Sequence, residues 1–468
     1  MILHRSIPIL KIRSTSKLLV LQLPDSCCKF NQNHRVRAFS AAVDTFFADQ
    51  TVSWSSLGAA SIPPILAGND VVVAAETGSG KTHGYLVPLF HKHLCTTTTE
   101  NDEDISLVLC PNVMLCEQVV RMATSICNQN GQPLLRVATV CGRQQGWPFN
   151  KPNIIVSTPA ALLNYLHYAD LIRDVKHVVF DEADMLLCGS FQNQVIRLIN
   201  MFRFDEKLLS RAKNSTQSHT LQQTVDEPNK RDWKRTREIY ERTKQYIFVA
   251  ATLPDNGKRT AGGELKRLFP DATWVSGHYL HRHNPRLQQK WIEVTIDTQV
   301  DVLIDAVNHT SDTPTMVFAN TVEAVEAIAK VLLGAGIECY CYHSDSSLEA
   351  RSRNLFDFQQ KGGIFVCTDA AARGIDIPNV SHVIQAEFAT SAVDFLHRVG
   401  RTARAGQPGL VTSMYNETNR DLVAAVRQAG KLCQPVEKAF SRKRSFRKKL
   451  KKQGARGEAL NVQDRIAV

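Results

Sequence analysis

The stretch Ala75-Glu76-Thr77-Gly78-Ser79-Gly80-Lys81-Thr82 decides the fold of this 468-residue chain. An apolar run at 70–75 leads into it and an amphipathic stretch follows, so it lies between a predicted strand and a predicted helix. A glycine-rich turn in this context is typical of a phosphate-binding loop, in which backbone N–H groups and the helix amino terminus surround phosphate oxygens. The sequence therefore predicts an α/β domain that binds a nucleotide through the whole stretch.

Individual residues of this loop have more specific predicted roles. Gly78 and Gly80 let the backbone curl around phosphate oxygens. Lys81 reaches the β- and γ-phosphates, and Thr82 offers a hydroxyl to Mg²⁺. Ala75 stands where such loops usually have their first glycine. A glycine-rich turn without a ligand is the alternative, and the flanking strand and helix disfavour it.

An acidic tetrapeptide follows a second apolar run, because His177-Val178-Val179-Phe180 leads into Asp181-Glu182-Ala183-Asp184. A carboxylate at the carboxyl end of a buried strand is where nucleotide hydrolases hold Mg²⁺. We therefore predict Asp181, with Thr82, as the metal ligands and Glu182 as the general base for water. An acid cluster at a helix start would look the same, but the upstream phosphate loop favours catalysis.

A basic motif lies in the second half, at His397-Arg398-Val399-Gly400-Arg401-Thr402-Ala403-Arg404. Its arginines are spaced i, i+3 and i+6, and they are predicted to project near one helix face. A solvated basic stripe is the usual alternative. The nucleotide site needs a cation for the γ-phosphate, and an arginine finger from this motif fits that role.

Short apolar runs alternate with helical stretches in two successive series, which predicts two doubly wound parallel-sheet domains in an α/β fold. The predicted strands are 70–75, 107–110, 153–157, 177–180 and 246–250, then 315–319, 338–342, 363–368, 382–385 and 409–414. The predicted helices include 322–333 and 419–429. The predicted divisions are domain 1 at 44–279, a linker at 280–288, domain 2 at 289–436 and a basic disordered tail at 437–468. A charged insert spans 204–244, with a surface loop or disordered segment at 211–232 and a helix at 232–244.

The formal net charge of +11 is concentrated at the two ends. Residues 1–43 carry +6, residues 438–468 carry +9, and residues 44–437 carry −4. The first segment has seven Lys/Arg and one acid, which suits an organelle transit peptide. The Val36-Arg37-Ala38 step favours a chloroplast processing site, and a mitochondrial one or a plain basic arm are alternatives. The basic tail is predicted to add sequence-independent affinity for a polyphosphate.

Cysteine usage and hydropathy exclude other classes of protein. The twelve cysteines contain no C-x-x-C pair, which favours reduced thiols over a disulfide framework or a zinc site. Apolar runs are too short to span a bilayer, so an integral membrane protein is excluded.

These motifs, in this order, resemble those of the DEAD-box RNA helicases of superfamily 2 over residues 52–436. Details such as Leu187-Cys188-Gly189-Ser190-Phe191-Gln192-Asn193 are most similar to plant chloroplast members associated with ribosome assembly. The resemblance implies two RecA-like domains in tandem, ATP and Mg²⁺ as cofactors, and RNA-stimulated ATP hydrolysis that locally unwinds or remodels structured RNA. It also implies an RNA partner, expected to be organellar rRNA, with pre-ribosomal proteins nearby, a monomeric chain and no membrane association.

The resemblance also assigns further residues. Arg401 and Arg404 would be the arginine fingers, which completes a catalytic set of Lys81, Asp181, Glu182, Arg401 and Arg404. Asp376 would reach the ATP ribose, in addition to the phosphate loop. Interactions that couple the two domains are implied for Asp184, Ala250, Ala251, Thr252, Arg373, His397 and Arg398. RNA-backbone contacts, which read no sequence, are implied for Pro111, Gln118, Thr158, Pro159, Asn320, His343, Arg351, Thr368, Asp369 and Gly374.

Four departures from the family pattern affect adenine specificity, RNA gripping or domain coupling rather than hydrolysis. The family's adenine-reading Gln position falls on Gly58, after a stretch that looks too short for a full helix. The motif usually spelled Pro-Thr-Arg-Glu-Leu reads Pro111-Asn112-Val113-Met114-Leu115. The family motif Thr-Pro-Gly-Arg reads Thr158-Pro159-Ala160-Ala161 in this chain. In the family motif Ser-Ala-Thr, the serine is replaced by Ala250. An ATP-gated RNA clamp with weak turnover is therefore an alternative to an efficient helicase, and a DNA translocase is a weaker one.

Overall fold

The computed structural model describes part of the chain, in two compact units. Described are residues 9–14, 17–22, 56–76, 78–96, 104–127, 132–141, 148, 150–165, 169–218, 242–253, 260–277, 280–281, 284, 286–310, 313–369, 377, 380–404, 407–436 and 439–440. The first unit comprises Met1–Val73, Thr82–Ala250 and Glu264–Val275. The second comprises Ala74–Lys81, Ala251–Gly263 and Ser276–Val468, so the phosphate loop and the segment after the fifth predicted strand group with it.

The first unit is built on a seven-stranded sheet. Its strands are β3 (Val71–Ala74), β4 (Ile105–Leu109), β6 (Val137–Val140), β7 (Ile154–Ser157), β8 (Val175–Asp181), β9 (Gln245–Ala250) and β10 (Thr273–Ser276), and their order is β10-β3-β9-β8-β4-β7-β6. The pairs β6·β7, β7·β4, β4·β8 and β8·β9 are parallel. Residues of β3, β4, β7 and β9 are buried throughout, as expected for strands covered on both faces.

Helices follow the strands of this sheet. They are α1 (Ser56–Leu66), α2 (Lys81–Thr96), α3 (Val113–Thr124), α4 (Pro159–Tyr165), α5 (Ala169–Asp174), α6 (Ala183–Leu186), α7 (Gln192–Ser218) and α8 (Ala261–Leu268). The α3 helix begins where the Asn112 side chain accepts a hydrogen bond from the N–H of Leu115, a standard amino-terminal cap. No described helix is long and apolar enough to cross a membrane.

The second unit contains a six-stranded sheet whose five neighbouring pairs are all parallel. Its strands are β11 (Leu287–Glu293), β12 (Thr315–Ala319), β13 (Cys339–Tyr342), β14 (Ile364–Thr368), β15 (His382–Gln385) and β16 (Gly409–Tyr415), in the order β11-β16-β15-β12-β14-β13. The helices are α9 (Gln299–Asn308), α10 (Val322–Gly334), α11 (Leu348–Lys361), α12 (Ala392–Val399) and α13 (Arg420–Lys431). One core cluster joins α9 and α10 to the central strands and includes Leu303, Val317, Val325, Ile328 and Ile384.

The first unit also contains a small three-stranded antiparallel sheet. Strands β1 (Ile9–Ser14) and β2 (Lys17–Gln22) form a hairpin, and β1 also pairs with β5 (Ile126–Cys127). The pairing with β5 involves only Lys11 with Cys127 and Ile12 with Ile126. The seven-stranded sheet is therefore complete without the hairpin.

The sequence-based fold is confirmed, and several boundaries are corrected. All ten predicted strands are present, whereas β1, β2, β5, β6, β10 and β11 were not predicted. The predicted loop at 211–232 is wrong over 211–218, where α7 continues because its helical pattern is not interrupted by Gly or Pro; residues 219–241 lie outside the described part. The linker predicted at 280–288 ends early, because Leu287 and Gln288 pair with β16. The α1 helix begins at Ser56, just before Gly58; residues 23–55 lie outside the described part, so the shortness of the stretch before Gly58 stays a prediction.

The start of the tail is corrected as well. Val436 and Ala439 are buried, and the Phe440 ring lies 6.1 Å from that of Phe395 and 6.4 Å from that of Phe388. Aromatic packing therefore holds the chain on the second unit as far as Phe440, and the predicted tail at 437–468 can begin only at 441.

Candidate functional site

The phosphate loop has the backbone that its glycines predict. Gly78 and Gly80 have φ of 77° and 79°, in the left-handed region that side chains disfavour. Lys81, the first residue of α2, directs its ammonium group back into the loop and donates hydrogen bonds of 2.9 Å to the carbonyls of Ala75 and Glu76. Thr77 lies outside the described residues. The loop thus joins a buried strand end to a helix amino terminus, as a phosphate site requires.

Gly277, which the sequence pattern does not mark, packs against this loop. The N–H of Gly277, just after β10, donates to the carbonyl of Ala74 at 2.8 Å. A Cβ atom at position 277 would lie 2.7 Å from Glu76 Oε2 and 3.0 Å from Ala75 Cβ. Only glycine fits there without a shift, and no local sequence signal marks this requirement because the contact joins distant segments.

The predicted metal ligand Asp181 is buried at the carboxyl end of β8 and is held on both sides. The Tyr85 hydroxyl donates to Asp181 Oδ2 at 2.8 Å, and the N–H of Glu182 donates to Oδ1 at 3.0 Å. Burial, and secondly the nearby Asp181 charge, raise the pKa of Tyr85 well above its usual value. Tyr85 therefore remains a donor, and it orients the hard oxygen atoms of Asp181. Tyr85 was not predicted, because a tyrosine on an amphipathic helix carries no sequence signal of this kind.

Glu182, the predicted base, has a left-handed backbone with φ of 51° and precedes α6. A non-glycine residue in this conformation is uncommon and often lies at a functional position. Asp184 is buried within α6, where its Oδ1 accepts the N–H of Met185 at 3.1 Å.

The predicted coupling segment Ala250-Ala251-Thr252 is buried throughout. Beyond it, the N–H of Leu253 donates to His281 Nε2 at 2.7 Å. His281, which is buried and has a φ of 60°, is a second contact that the sequence did not reveal.

Two of the predicted RNA contacts in the first unit follow neighbouring parallel strands. Pro111 comes shortly after β4, and Thr158 directly after β7, so both lie at the carboxyl edge of the sheet. Thr158 Oγ1 accepts the N–H of Ala161 at 3.4 Å, and Pro159 is the buried first residue of α4. Gln118 is half-buried on α3, with Nε2 4.0 Å from Met122 Sδ. The structure thus places these candidates at one sheet edge and on the helix that follows it.

The second unit gathers its RNA candidates in the same way. Asn320, His343 and Thr368 lie at the carboxyl ends of the adjacent strands β12, β13 and β14. His343 is buried, with Nε2 3.1 Å from Ser346 Oγ. Arg351, on α11, is half-buried.

Arg398 connects these candidates from inside the second unit. Its side chain is fully buried and donates to Asp369 Oδ1 at 2.7 Å, to Asp369 Oδ2 at 2.5 Å, to Asn320 Oδ1 at 2.6 Å and to the Glu387 carbonyl at 2.6 Å. The N–H of Asn320 donates to Glu387 Oε2 at 2.7 Å. Arg398 therefore positions two predicted RNA contacts, Asn320 and Asp369, through charge-assisted bonds. The neighbouring His397 is also buried.

The predicted common helix face of the three arginines is wrong. The α12 helix ends at Val399, so Arg401 and Arg404 lie beyond it, where Gly400 caps the helix and Ala403 adopts a φ of 56°. Arg401 is buried, and Arg404 donates to the carbonyls of Gly400 and Ile377 at 2.7 and 2.9 Å. Arg373, Gly374 and Asp376 lie outside the described residues, so their predicted roles stay predictions.

Two protein-family models match the two parts of the chain that carry these motifs. The model described as DEAD/DEAH box helicase matches residues 56–260, and the helicase conserved C-terminal domain matches residues 298–406. A DEAD-box ATP-dependent RNA helicase 22 from Oryza sativa subsp. japonica is 55% identical over 494 residues, covering 87% of this chain and 85% of the relative. The helicase 22 of Arabidopsis thaliana is 53% identical, covering 89% and 88%. The chain belongs to the DEAD-box ATP-dependent RNA helicases.

Solved structures agree on the fold of this DEAD-box protein. Dbp5 from S. cerevisiae, bound to RNA and ADP BeF3, is 18% identical with a TM-score of 0.61, covering 88% of this chain and 96% of that one. DEAD-box helicase Mss116, bound to ssRNA and UDP-BeF, is 19% identical with a TM-score of 0.63, covering 86% and 79%. The two RecA-like domains predicted from the sequence are therefore confirmed as the fold class.

Family membership settles the reaction class. This DEAD-box helicase is an ATP-hydrolysing enzyme of the family that remodels RNA in an ATP-dependent way. The alignment with the rice relative is longer than the 468 residues of this chain, so that relative contains segments without a counterpart here.

Proposed function

We propose that this DEAD-box helicase remodels structured rRNA inside an organelle, as a monomer acting on pre-ribosomal particles during ribosome assembly. The observation that supports RNA-backbone recognition is the row of RNA candidates at the carboxyl edge of each sheet. These side chains and helix ends suit phosphate and ribose groups, which carry no sequence information. Selection of one RNA would then come from where the protein is delivered and from its partners.

The chain's own residues divide the work of hydrolysis. The loop N–H groups and Lys81 bind and orient the triphosphate. Glu182 takes a proton from the attacking water, and Arg401 and Arg404 offset charge on the γ-phosphate. Asp181 and Thr82 would hold Mg²⁺, since both supply hard oxygen atoms, and the ion would neutralise phosphate charge when bound. Tyr85 keeps the Asp181 carboxylate in place.

The organellar part of the proposal rests on the composition of residues 1–43. Strands β1 and β2 take no part in either large sheet, and β1 pairs with β5 of the first unit. We propose the chloroplast as the destination, with the mitochondrion as the alternative. Amino-terminal sequencing of the protein recovered from purified organelles tests this, and a mature protein that still starts at Met1 would contradict cleavage.

The catalytic test is Glu182→Gln. Without the base, RNA-stimulated phosphate release should fall by about 10²-fold or more. Glu323→Gln is the matched control, because Glu323 is exposed at the start of α10, and it should leave the rate unchanged. Equal stimulation of the unaltered protein by single-stranded DNA would contradict the choice of RNA.

The rRNA assignment has its own test. RNA cross-linked to the protein in organelles should be enriched in rRNA. The enrichment should grow in Glu182→Gln, because a variant that hydrolyses ATP slowly should hold ATP and RNA for longer. Enrichment of messenger RNA instead would overturn the rRNA proposal and leave the enzyme class untouched.

A second candidate, an ATP-gated RNA clamp with weak turnover, is favoured by the altered RNA motifs. Val113, Met114 and Ala161 replace charged residues of the family pattern, and Ala250 replaces a hydroxyl. Slow RNA release with a non-hydrolysable ATP analogue, together with negligible turnover by the unaltered protein, would favour the clamp.

A further inference from the structure

An apolar groove lies on the outside of the first unit, between α5 and α7. We call it the α5–α7 groove, and its cavity has a volume of about 630 Å³. It is lined by Ile172 and Arg173 on α5 and by Asn193, Ile196, Arg197, Asn200, Met201, Phe204, Asp205 and Leu208 on α7. The α7 residues recur every three or four positions, so they form one stripe along the helix.

This stripe is separate from the face that holds α7 on the sheet. Val195, Leu198, Ile199 and Phe202 are buried and form the inner face. On the outer face, Phe204 is 61% exposed and Leu208 is 48% exposed. Large apolar side chains in a concave stripe on the surface are typical of a protein-binding site rather than of a core.

The helix that carries the stripe is anchored firmly. Glu206 is fully buried and its Oε1 accepts the N–H groups of Thr243 and Lys244 at 2.9 and 2.8 Å. Arg203 donates to the carbonyl of Leu268 at 2.6 Å and lies over the Phe269 ring. The groove is therefore a preformed surface, which reduces the ordering cost of binding.

The charges that the groove presents to solvent have one sign. Arg173 and Arg197 are exposed at its rim. Asp205 is the single acid of its lining, and its carboxylate lies 3.2 Å from the buried ammonium group of Lys244. The acid is thus neutralised on the inner side, and the rim presents cations to a partner.

We propose that the α5–α7 groove binds an amphipathic helix of a partner protein, with apolar side chains at i, i+3 or i+4 spacing and acidic residues on both flanks. The stripe of α7 supplies the apolar surface for a helix lying in the groove. Phe204 is the central anchor, and Arg173 and Arg197 select an acidic partner. This inference is independent of the RNA and organelle proposed above.

The first test uses two synthetic helical peptides of about 18 residues, long enough to form helix on binding. Both have Leu at i, i+4, i+7 and i+11; the remaining positions alternate Ala with Glu in one peptide and Ala with Lys in the other. Fluorescence anisotropy with the full chain should show binding of the acidic peptide and at least about tenfold weaker binding of the basic one, a difference of about 1.4 kcal/mol. Failure of the acidic peptide to bind, or equal binding of both, would overturn the proposal.

Variants then locate the contact. The double substitution of Phe204→Ser with Leu208→Ser should weaken binding of the acidic peptide by at least about tenfold. Phe356→Ser is the matched control, because Phe356 is also 61% exposed but lies on α11 in the second unit. This substitution should leave the affinity for the acidic peptide unchanged. Both variants alter exposed residues, and unchanged RNA-stimulated ATPase activity confirms that each is folded.

A charge exchange separates this proposal from simple hydrophobic adhesion. Arg173→Glu with Arg197→Glu should reverse the preference, so that the basic peptide binds more tightly than the acidic one. An unchanged preference would overturn the assigned partner chemistry. Concentration-dependent self-association of the full chain that Phe204→Ser abolishes would show the groove to be an interface between copies, and would likewise overturn the proposal.

Discussion

The contact between Tyr85 and Asp181 shows how one buried hydrogen bond can organise a catalytic carboxylate. Tyr85→Phe removes the donor to Asp181 Oδ2 and keeps the ring, which is fully buried. Because the buried Asp181 carboxylate then loses this donor, we expect the free energy of unfolding to fall by about 1–3 kcal/mol in denaturant titrations. The rate of ATP hydrolysis should fall as well, because the Asp181 carboxylate is no longer held in one orientation.

The control for this change is Tyr340→Phe. The Tyr340 ring is half-buried on β13 and contacts Phe358 through its edge. We expect Tyr340→Phe to change the free energy of unfolding by no more than about 0.5 kcal/mol. Equal destabilisation by the two substitutions would show that the Asp181 contact contributes no specific stability.

His382 gives the second unit a pH-dependent stability. It is buried in β15, with Nδ1 2.9 Å from Thr310 Oγ1 and Nε2 2.8 Å from Thr412 Oγ1. Burial, and then the charges of Lys290 and His309, lower its pKa from 6.5 to about 4. The unfolded state therefore binds a proton first as pH falls, and stability decreases as pH falls between those two values.

The measurement for His382 is the free energy of unfolding across that pH range. His382→Gln should reduce the slope by up to about 1.4 kcal/mol per pH unit, the contribution of one proton. An identical slope in the variant would mean that His382 does not titrate differently in the two states.

At the scale of secondary-structure elements, Arg398 joins three strand ends. It reaches from the end of α12 to Asn320 after β12, Asp369 after β14 and Glu387 after β15. Arg398→Met leaves Asp369 without its buried partner, so we expect the free energy of unfolding of the second unit to fall by about 3–5 kcal/mol. Arg427→Met, on the exposed side of α13, is the control and should have little effect.

RNA affinity shows whether Arg398 positions RNA-contacting residues or only stabilises the second unit. At a temperature where the Arg398→Met protein is still folded by circular dichroism, RNA binding should be weaker because Asn320 and Asp369 are no longer fixed. Unaltered RNA affinity in the folded variant would contradict the positioning role.

Within the two large sheets, the strands that the sequence failed to predict share one property, which is their place at an edge of the sheet. β10 and β6 are the two ends of the seven-stranded sheet, and β11 is one end of the other. Their residues are only partly buried, alternating in β11, whereas central strands such as β4 are buried throughout. A continuous apolar run marks a strand covered on both faces, but an edge strand lacks that run.

The site shows the same division between local and distant signals. Gly78, Gly80 and Asp181 were predictable because a loop backbone or a strand end fixes their role locally. Tyr85 and Gly277 were not, because each acts through a residue far away in sequence. The positions of Arg401 and Arg404 beyond α12 were also missed, because residue spacing alone does not say where a helix ends.

At the scale of the whole molecule, the excess positive charge belongs to the two ends, and residues 44–437 carry −4. Candidate RNA contacts in the described part are mainly neutral side chains at strand ends, so the folded units offer little general attraction for phosphate. We expect long-range RNA affinity to come from the basic run after Phe440, which has ten Lys/Arg and two acids.

Deleting residues 441–468 tests this division of labour, and the packing of Phe440 on Phe388 and Phe395 sets where the deletion must begin. For every phosphate that the tail no longer neutralises, the slope of log affinity against log salt should become shallower by about 0.7 for single-stranded RNA. We therefore expect weaker RNA binding at low salt, a flatter salt dependence and unchanged ATP hydrolysis at saturating RNA. A deletion from 438 should in addition lower the stability of the second unit, because it removes Ala439 and Phe440. If the salt dependence is the same with and without 441–468, the folded units themselves must carry the phosphate contacts, despite their negative balance of charge.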